Sequence, residues 1–230
     1  MRILFASWPA YGHLLPMVPL IRAAQRAGHD VVVSSGSDMS DVIGRFGVTA
    51  HRSGVTMAES YARLPNDVVI SELPPEEQDG FAARHFFGAG AVDRARDVGD
   101  LLETWRPGLV VHDMMELGSA AAAEVNGIPH ATHGYGPMIP GADDFASAIG
   151  TALAHSGVVD PVAAVFASPY LDICPPGLRG TGPMPWSEIR PLRPSAGEIA
   201  RDDEPPRELA ALLHADSVYV TLGTVMNQSA

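Results

Sequence analysis

The chain has 230 residues, 46% of them hydrophobic, with a single cysteine and a formal net charge of -12. Such a charge argues against a nucleic-acid or anionic-membrane partner, because neither phosphate backbones nor acidic lipids attract an acidic surface. Cys174 alone excludes an internal disulfide, zinc cluster or redox pair. No signal-peptide pattern opens the chain and no window approaches the roughly 18 apolar residues of a membrane span, so the expected compartment is the cytoplasm.

Arg2 to Ser7 reads as a short buried strand, Trp8 to Gly12 as a loop and Leu14 to Ala27 as an amphipathic helix, which puts His13 where the loop enters the helix. Gly28-His29 stops that helix, and Asp30 to Ser34, with Val31-Val32-Val33, supplies a second strand. Ser37 or Asp38 caps a second helix running to Phe46 and closed by Gly47, and Val48 to His51 makes a third strand. Residues 53 to 74 show no strong periodicity and read as an irregular excursion. Glu76 to Arg106 is helical, with Phe81, Phe86, Phe87, Val92, Val98, Leu101 and Leu102 as its apolar face, and Pro107-Gly108 ends it.

Leu109 to His112 is an apolar strand, followed by Asp113 and an alanine-rich helix from Leu117 to Asn126 whose Ala120 to Ala123 run reads as a tightly packed face. After Gly127, Pro129 to Thr132 begins a fifth strand. This alternation predicts an α/β fold with a doubly wound, mostly parallel Rossmann-like sheet in the order 3-2-1-4-5. Helices follow within Asp143 to His155 and from Pro161, and Tyr170 to Ile173 makes a sixth strand. Pro175 to Pro206 holds eight prolines and reads as an extended connector rather than regular core; Arg207 to Leu213 is then helical and Ser217 to Leu222 a strand leading into Gly223-Thr224.

The 3-2-1-4-5 order puts His13 and Asp113 at the carboxyl ends of neighbouring strands, the edge where open α/β sheets bind ligands. An Asp that accepts from one imidazole nitrogen fixes the tautomer and stabilises the charge created when the other nitrogen takes a proton. Taken singly, His13 reads equally as a capping or exposed histidine and Asp113 as the N-cap of the next helix; the topological pairing favours a base and its orienting carboxylate. No Gly-x-Ser-x-Gly elbow, Gly-x-Gly-x-x-Gly turn or Walker loop is present, which removes the usual support for hydrolase, dehydrogenase and NTPase chemistry. His112, His130 and His133 gather near strand ends without a metal-ligand spacing, so no metal is expected. Loops at the same edge offer Trp8, Tyr11, Phe86, Phe87, Met114, Met115, Tyr135 and Met138 as walls for a large apolar ligand, although each is equally an ordinary core residue.

The ordered set Gly12-His13-Leu14-Leu15-Pro16, Gly28-His29-Asp30-Val31, Arg106-Pro107-Gly108-Leu109-Val110-Val111-His112-Asp113, Gly127-Ile128-Pro129-His130 and Val218-Tyr219-Val220-Thr221-Leu222-Gly223-Thr224 resembles the GT-B glycosyltransferases that decorate macrolides, enediynes and other natural products in actinomycetes. The resemblance implies an inverting, metal-independent transfer of a sugar from a nucleotide-diphosphate sugar, TDP- or UDP-linked, to an aglycone hydroxyl, with no further cofactor. His13 matches the general base and Asp113 its orienting carboxylate, while Gly12, Gly223 and Thr224 match positions facing the donor diphosphate. It also implies an acceptor-binding domain over 1–190, a linker over 191–206 and, over 207–230, only the first helix and strand of a donor-binding domain whose remainder is missing. The chain alone is then expected to be inactive, its partners being the aglycone and the missing C-terminal domain. The orphan strand leaves a homodimer open. An alternative from another class is a non-catalytic glycosyltransferase-like protein that activates a partner enzyme.

Overall fold

The computed structural model describes residues 1–195 except 66–67, 70–71, 75–76, 79–80, 82–84, 86–87, 138–141, 155 and 180–183. The predicted helix and strand over 207–222 therefore lie outside the described residues. In chain order the elements are β1 (Arg2–Ala6), α1 (Tyr11–Leu14), α2 (Val18–Arg26), β2 (Asp30–Ser35), α3 (Ser40–Gly44), β3 (Thr49–Arg52), α4 (Met57–Ala62), α5 (Ala89–Trp105), β4 (Leu109–Asp113), α6 (Leu117–Val125), β5 (His130–His133), α7 (Ala142–Leu153), α8 (Pro161–Ala167), β6 (Tyr170–Asp172) and β7 (Ile189–Pro191). The strands form one sheet in the order β3-β2-β1-β4-β5-β6-β7, and every pairing is parallel.

The central strands are apolar on both sides because helices cover both faces. Leu4, Val32 and Val110 pack with Val98 and Leu102 of α5 and Ala122 and Ala123 of α6. On the opposite face, Ile3, Phe5, Val31, Val33 and Val111 pack with Leu14, Met17, Ile21 and Ile43. Helices α5 and α6 approach so closely that a Cβ on Gly118 would stand 2.5 Å from the Ala91 carbonyl oxygen, which is why small side chains fill this helix. A third cluster joins Phe145, Tyr170 and Trp186 beneath α7 and α8 at the β6–β7 end.

Several expectations change in detail. The helix over Leu14–Ala27 begins earlier, at Tyr11, and is divided by a 3-10 turn at Leu15–Met17 that carries Pro16, a residue with no backbone N–H to continue the α ladder. Neither Ser37 nor Asp38 caps the second helix. A 3-10 turn spans Ser37–Met39, and the Met57 N–H donates to Asp38 Oδ2 at 3.1 Å. Within the supposedly irregular stretch, α4 is started by a capping box between Thr56 and Glu59; six residues are too few to display a period. On α5, Val98 and Leu102 are buried but Val92 is 60% exposed, so it leaves the apolar face, and Phe86 and Phe87 lie outside the described residues. The proline-rich stretch also contributes to the core. Trp186 is buried and Ile189–Pro191 pairs with β6 as an edge strand, where a missing ladder donor is tolerated.

Candidate functional site

Strands β1 and β4 lie side by side with Ala6 opposite His112, so both chains leave the sheet at the same edge. Asp113 is the last residue of β4 and is fully buried. Its Oδ1 lies 3.1 Å from His13 Nδ1 and accepts from the Met115 N–H at 2.7 Å, and its Oδ2 accepts from the Trp8 N–H at 2.5 Å. Burial alone would raise the carboxyl; the charge and hydrogen bond of His13 and the two backbone donors outweigh it and hold Asp113 below its ordinary value. A carboxylate is thereby kept ionised where no solvent reaches it.

His13, expected where the loop enters the helix, is the third residue of α1, and its side chain is 15% exposed. Its ring packs against Tyr135, centroid to centroid 4.3 Å at 45°. Burial, with the Asp113 charge adding to it, pushes the Tyr135 phenol well above its usual range, so it stays protonated. This edge therefore holds a fixed anion and an imidazole partly open to solvent, with an aromatic wall beside it. Such a set can accept one proton and stabilise the resulting imidazolium.

The remaining site predictions fare unequally. Gly12 is exposed on α1, with open space where a Cβ would stand, and Tyr11 is 46% exposed. The Trp8 ring is no pocket wall. It is buried with the Arg94 guanidinium 4.0 Å over it, and what Trp8 gives the site is its backbone N–H. Met114 is likewise core, its sulfur meeting the Tyr170 hydroxyl at 3.8 Å. Phe86, Phe87, Met138, Gly223 and Thr224 lie outside the described residues. The backbone donors at Trp8 and Met115 were invisible in the sequence because any residue but proline supplies an N–H.

The histidine cluster resolves into two arrangements. His133 is fully buried in register with Asp113, and burial, opposed by the Asp113 charge, lowers its imidazole to about 4. On the other face, His112 Nδ1–H donates to the Asp113 carbonyl at 3.0 Å, His112 Nε2 meets His130 Nδ1 at 3.0 Å, and His130 Nε2 meets Glu124 Oε1 at 2.8 Å. Among the described residues no group of three or more His, Cys, Asp or Glu could hold a metal ion, and no helix is long and apolar enough to cross a membrane.

Residues 22–180 match the family model for the erythromycin biosynthesis protein CIII-like N-terminal domain, a range that includes Asp113 and begins after His13. The L-demethylnoviosyl transferase of Streptomyces niveus is 33% identical over 186 residues, covering 78% of this chain and 46% of that protein. The 10-deoxymethynolide desosaminyltransferase of Streptomyces venezuelae is 28% identical over 162 residues, covering 61% of this chain and 37% of that protein. The chain thus spans less than half the length of these relatives. Among solved structures, the Streptomyces sp. SF2575 glycosyltransferase SsfS6 complexed with thymidine diphosphate aligns with a TM-score of 0.63 and 25% identity over 77% of this chain and 50% of that one. The spinosyn rhamnosyltransferase SpnG complexed with spinosyn aglycone shares the fold, with a TM-score of 0.64 and 21% identity over 87% of this chain and 52% of that one. The sheet described above is thus that of the N-terminal half of a GT-B glycosyltransferase, and with the match over 22–180 it follows that the chain belongs to the erythromycin biosynthesis protein CIII-like N-terminal domain family.

Proposed function

We propose that this chain is the acceptor-binding half of an inverting glycosyltransferase that moves a sugar from a nucleoside-diphosphate donor to a hydroxyl of a natural-product aglycone. The observation that carries the reading is the 3.1 Å contact between His13 Nδ1 and a buried, ionised Asp113 at the carboxyl edge of the sheet. With Nδ1–H donated to Asp113, the other ring nitrogen takes the acceptor hydroxyl's proton as its oxygen attacks the anomeric carbon. The nucleoside diphosphate leaves with the bonding pair, and Asp113 stabilises the imidazolium. Proton removal by His13 supplies the nucleophile, so the reading assigns the reaction no metal.

The related proteins support the substrate classes. One solved relative holds thymidine diphosphate, another an aglycone, and the curated relatives transfer sugars to natural products by name. Charge on the leaving diphosphate needs donors from a second, donor-binding half, which in this reading begins after a linker over 191–206 and includes Gly223 and Thr224. The test joins this chain to such a half, in one polypeptide or by mixing. His13→Ala should lower turnover about 10³-fold while leaving aglycone affinity by calorimetry unchanged. Turnover near that of the parent protein would remove the base assignment, and tight nucleotide-sugar binding by this chain alone would remove the division into halves.

A further inference from the structure

Arg94 is an arginine with almost no access to water, its side chain 1% exposed, in a slot made by the absence of side chains on three different segments. A Cβ on Gly54 would stand 2.5 Å from Arg94 Cγ, one on Gly118 2.6 Å from Arg94 Cβ, and one on Gly90 2.8 Å from Arg94 Nη1 and 3.2 Å from the Trp8 ring. In this slot the guanidinium lies 4.0 Å over the Trp8 indole, its Nε is 3.7 Å from Glu116 Oε1, and its Nη2 donates to the Val55 carbonyl at 3.4 Å. Glu116 is itself 1% exposed, and its Oε2 accepts from the Ser119 N–H at the start of α6.

Stability alone gives no reason for this arrangement. Burying two charges costs desolvation that an apolar pair of similar volume would avoid, and such replacements are often neutral or stabilising. What the guanidinium adds is geometry, because its planar cation faces an aromatic ring on one segment and a carboxylate on another. Those two segments are the ones that hold Asp113. Trp8 supplies the N–H on Oδ2, and the turn from Asp113 to Glu116, closed by the Glu116 N–H on the Asp113 carbonyl at 3.0 Å, supplies the Met115 N–H on Oδ1.

We propose that Arg94 is a positioning residue for the Asp113–His13 pair: by lying over the Trp8 ring and beside the Glu116 carboxyl, at ion-pair distance without a hydrogen bond, it fixes the two backbone donors that set the Asp113 carboxylate. Its catalytic consequence rests on reading that pair as base and orienting carboxylate. Its structural consequence can be measured without turnover.

The experiment is amide hydrogen exchange by NMR on the 230-residue chain, comparing the Trp8 and Met115 amides with those of Leu4 and Val110 in the neighbouring strands. The variant is Arg94→Met combined with Glu116→Gln, so that no buried carboxylate is left without its counter-charge. Trp8 and Met115 should exchange about tenfold faster relative to the two strand amides, since local opening is separable from global unfolding. Equal acceleration at all four would overturn the proposal by showing only a lost packing contact. Arg94→Lys keeps a cation in the slot and covers the case in which the double variant fails to fold; the same selective loss is expected, smaller in size, and a uniform one overturns the proposal. With a donor-binding half supplied, the double variant should lose about tenfold in kcat with acceptor KM unchanged, as misorientation of a catalytic group does. A parallel His13→Ala measurement separates the two ideas: full activity there removes the base reading and leaves the exchange result standing.

Discussion

Strand β4 carries two histidine–carboxylate arrangements back to back, because consecutive residues of a strand point to opposite faces. At the Asp113 face the carboxylate is fully buried and the imidazole of His13 is 15% exposed. At the His112 face the burial is inverted: His130 is 3% exposed and its partner Glu124 38%. A buried anion held by two backbone N–H groups stays charged beside an imidazole that is partly open to solvent. Behind that pair, the fully buried imidazole of His112 is held neutral instead. Burial and the adjacent His130 lower His112 to about 3, against the hydrogen bond and charge of Asp113. Its Nδ1 faces a carbonyl and must carry the proton, which leaves Nε2 to accept from His130 Nδ1–H. This second arrangement ties β5 and α6 to β4, while the first is the one proposed to move a proton.

The sharpest way to break this contrast is to neutralise each carboxylate in turn. With a donor-binding half present, Asp113→Asn should cost about 10³-fold in kcat, because a neutral amide no longer stabilises the imidazolium. Turnover within a few-fold of the parent would make Asp113 merely structural. Acid should probe the buried imidazoles next. His112 at about 3 and His133 at about 4 lie below the ordinary 6.5, so the unfolded chain takes up their protons first as pH falls. Stability should be complete above about 6.5 and decline toward 4 by up to about 1.4 kcal/mol per pH unit for each group, read from urea midpoints across that range. A flat profile would contradict their burial as neutral rings.

His112→Leu removes a hydrogen-bonded ring, takes one of two donors from the Asp113 carbonyl and leaves His130 Nδ1 without its partner, at a cost of about 2 kcal/mol in urea unfolding. It should also flatten the acid profile by one group while turnover per folded molecule changes little. A large specific loss of kcat would mean that both faces of β4 serve the reaction. Glu124→Gln is the mildest change, with an expected loss of about 0.5 kcal/mol, since a partly exposed pair contributes little. A loss several times larger would show that the contact between His130 and Glu124 is buried more effectively than its exposure suggests.

Much of the sheet was legible because its signals are local. Val31-Val32-Val33 and Leu109-Val110-Val111 are apolar runs between turn residues, and Gly28 and Gly127 adopt the left-handed φ of 78° and 63° that a helix stop requires. The strand order follows from parallel crossover rules and by itself brings His13 to the same sheet edge as Asp113. Other features were hidden for definite reasons. The six-residue α4 is shorter than two helical turns, and β7 lies among prolines that an edge strand tolerates. The Trp8 ring looked like a pocket wall because aromaticity does not reveal which side of a turn a residue faces; Arg94, from a helix far along the chain, decided it.

The amino-acid sequence by itself determined the alternation of strands and helices and the chemical types at the carboxyl edge, since these depend on apolar periodicity, turn residues and short-range chain geometry. It also carried family membership through the match over residues 22–180. Only the tertiary structure decided which face each histidine occupies, that Asp113 is held by two backbone donors, and that Arg94 lies between the segments supplying them. The physical reason is that a hydrogen bond or a buried ion pair depends on distances of a few ångströms between residues far apart in the chain, and pattern along the chain carries no such distances.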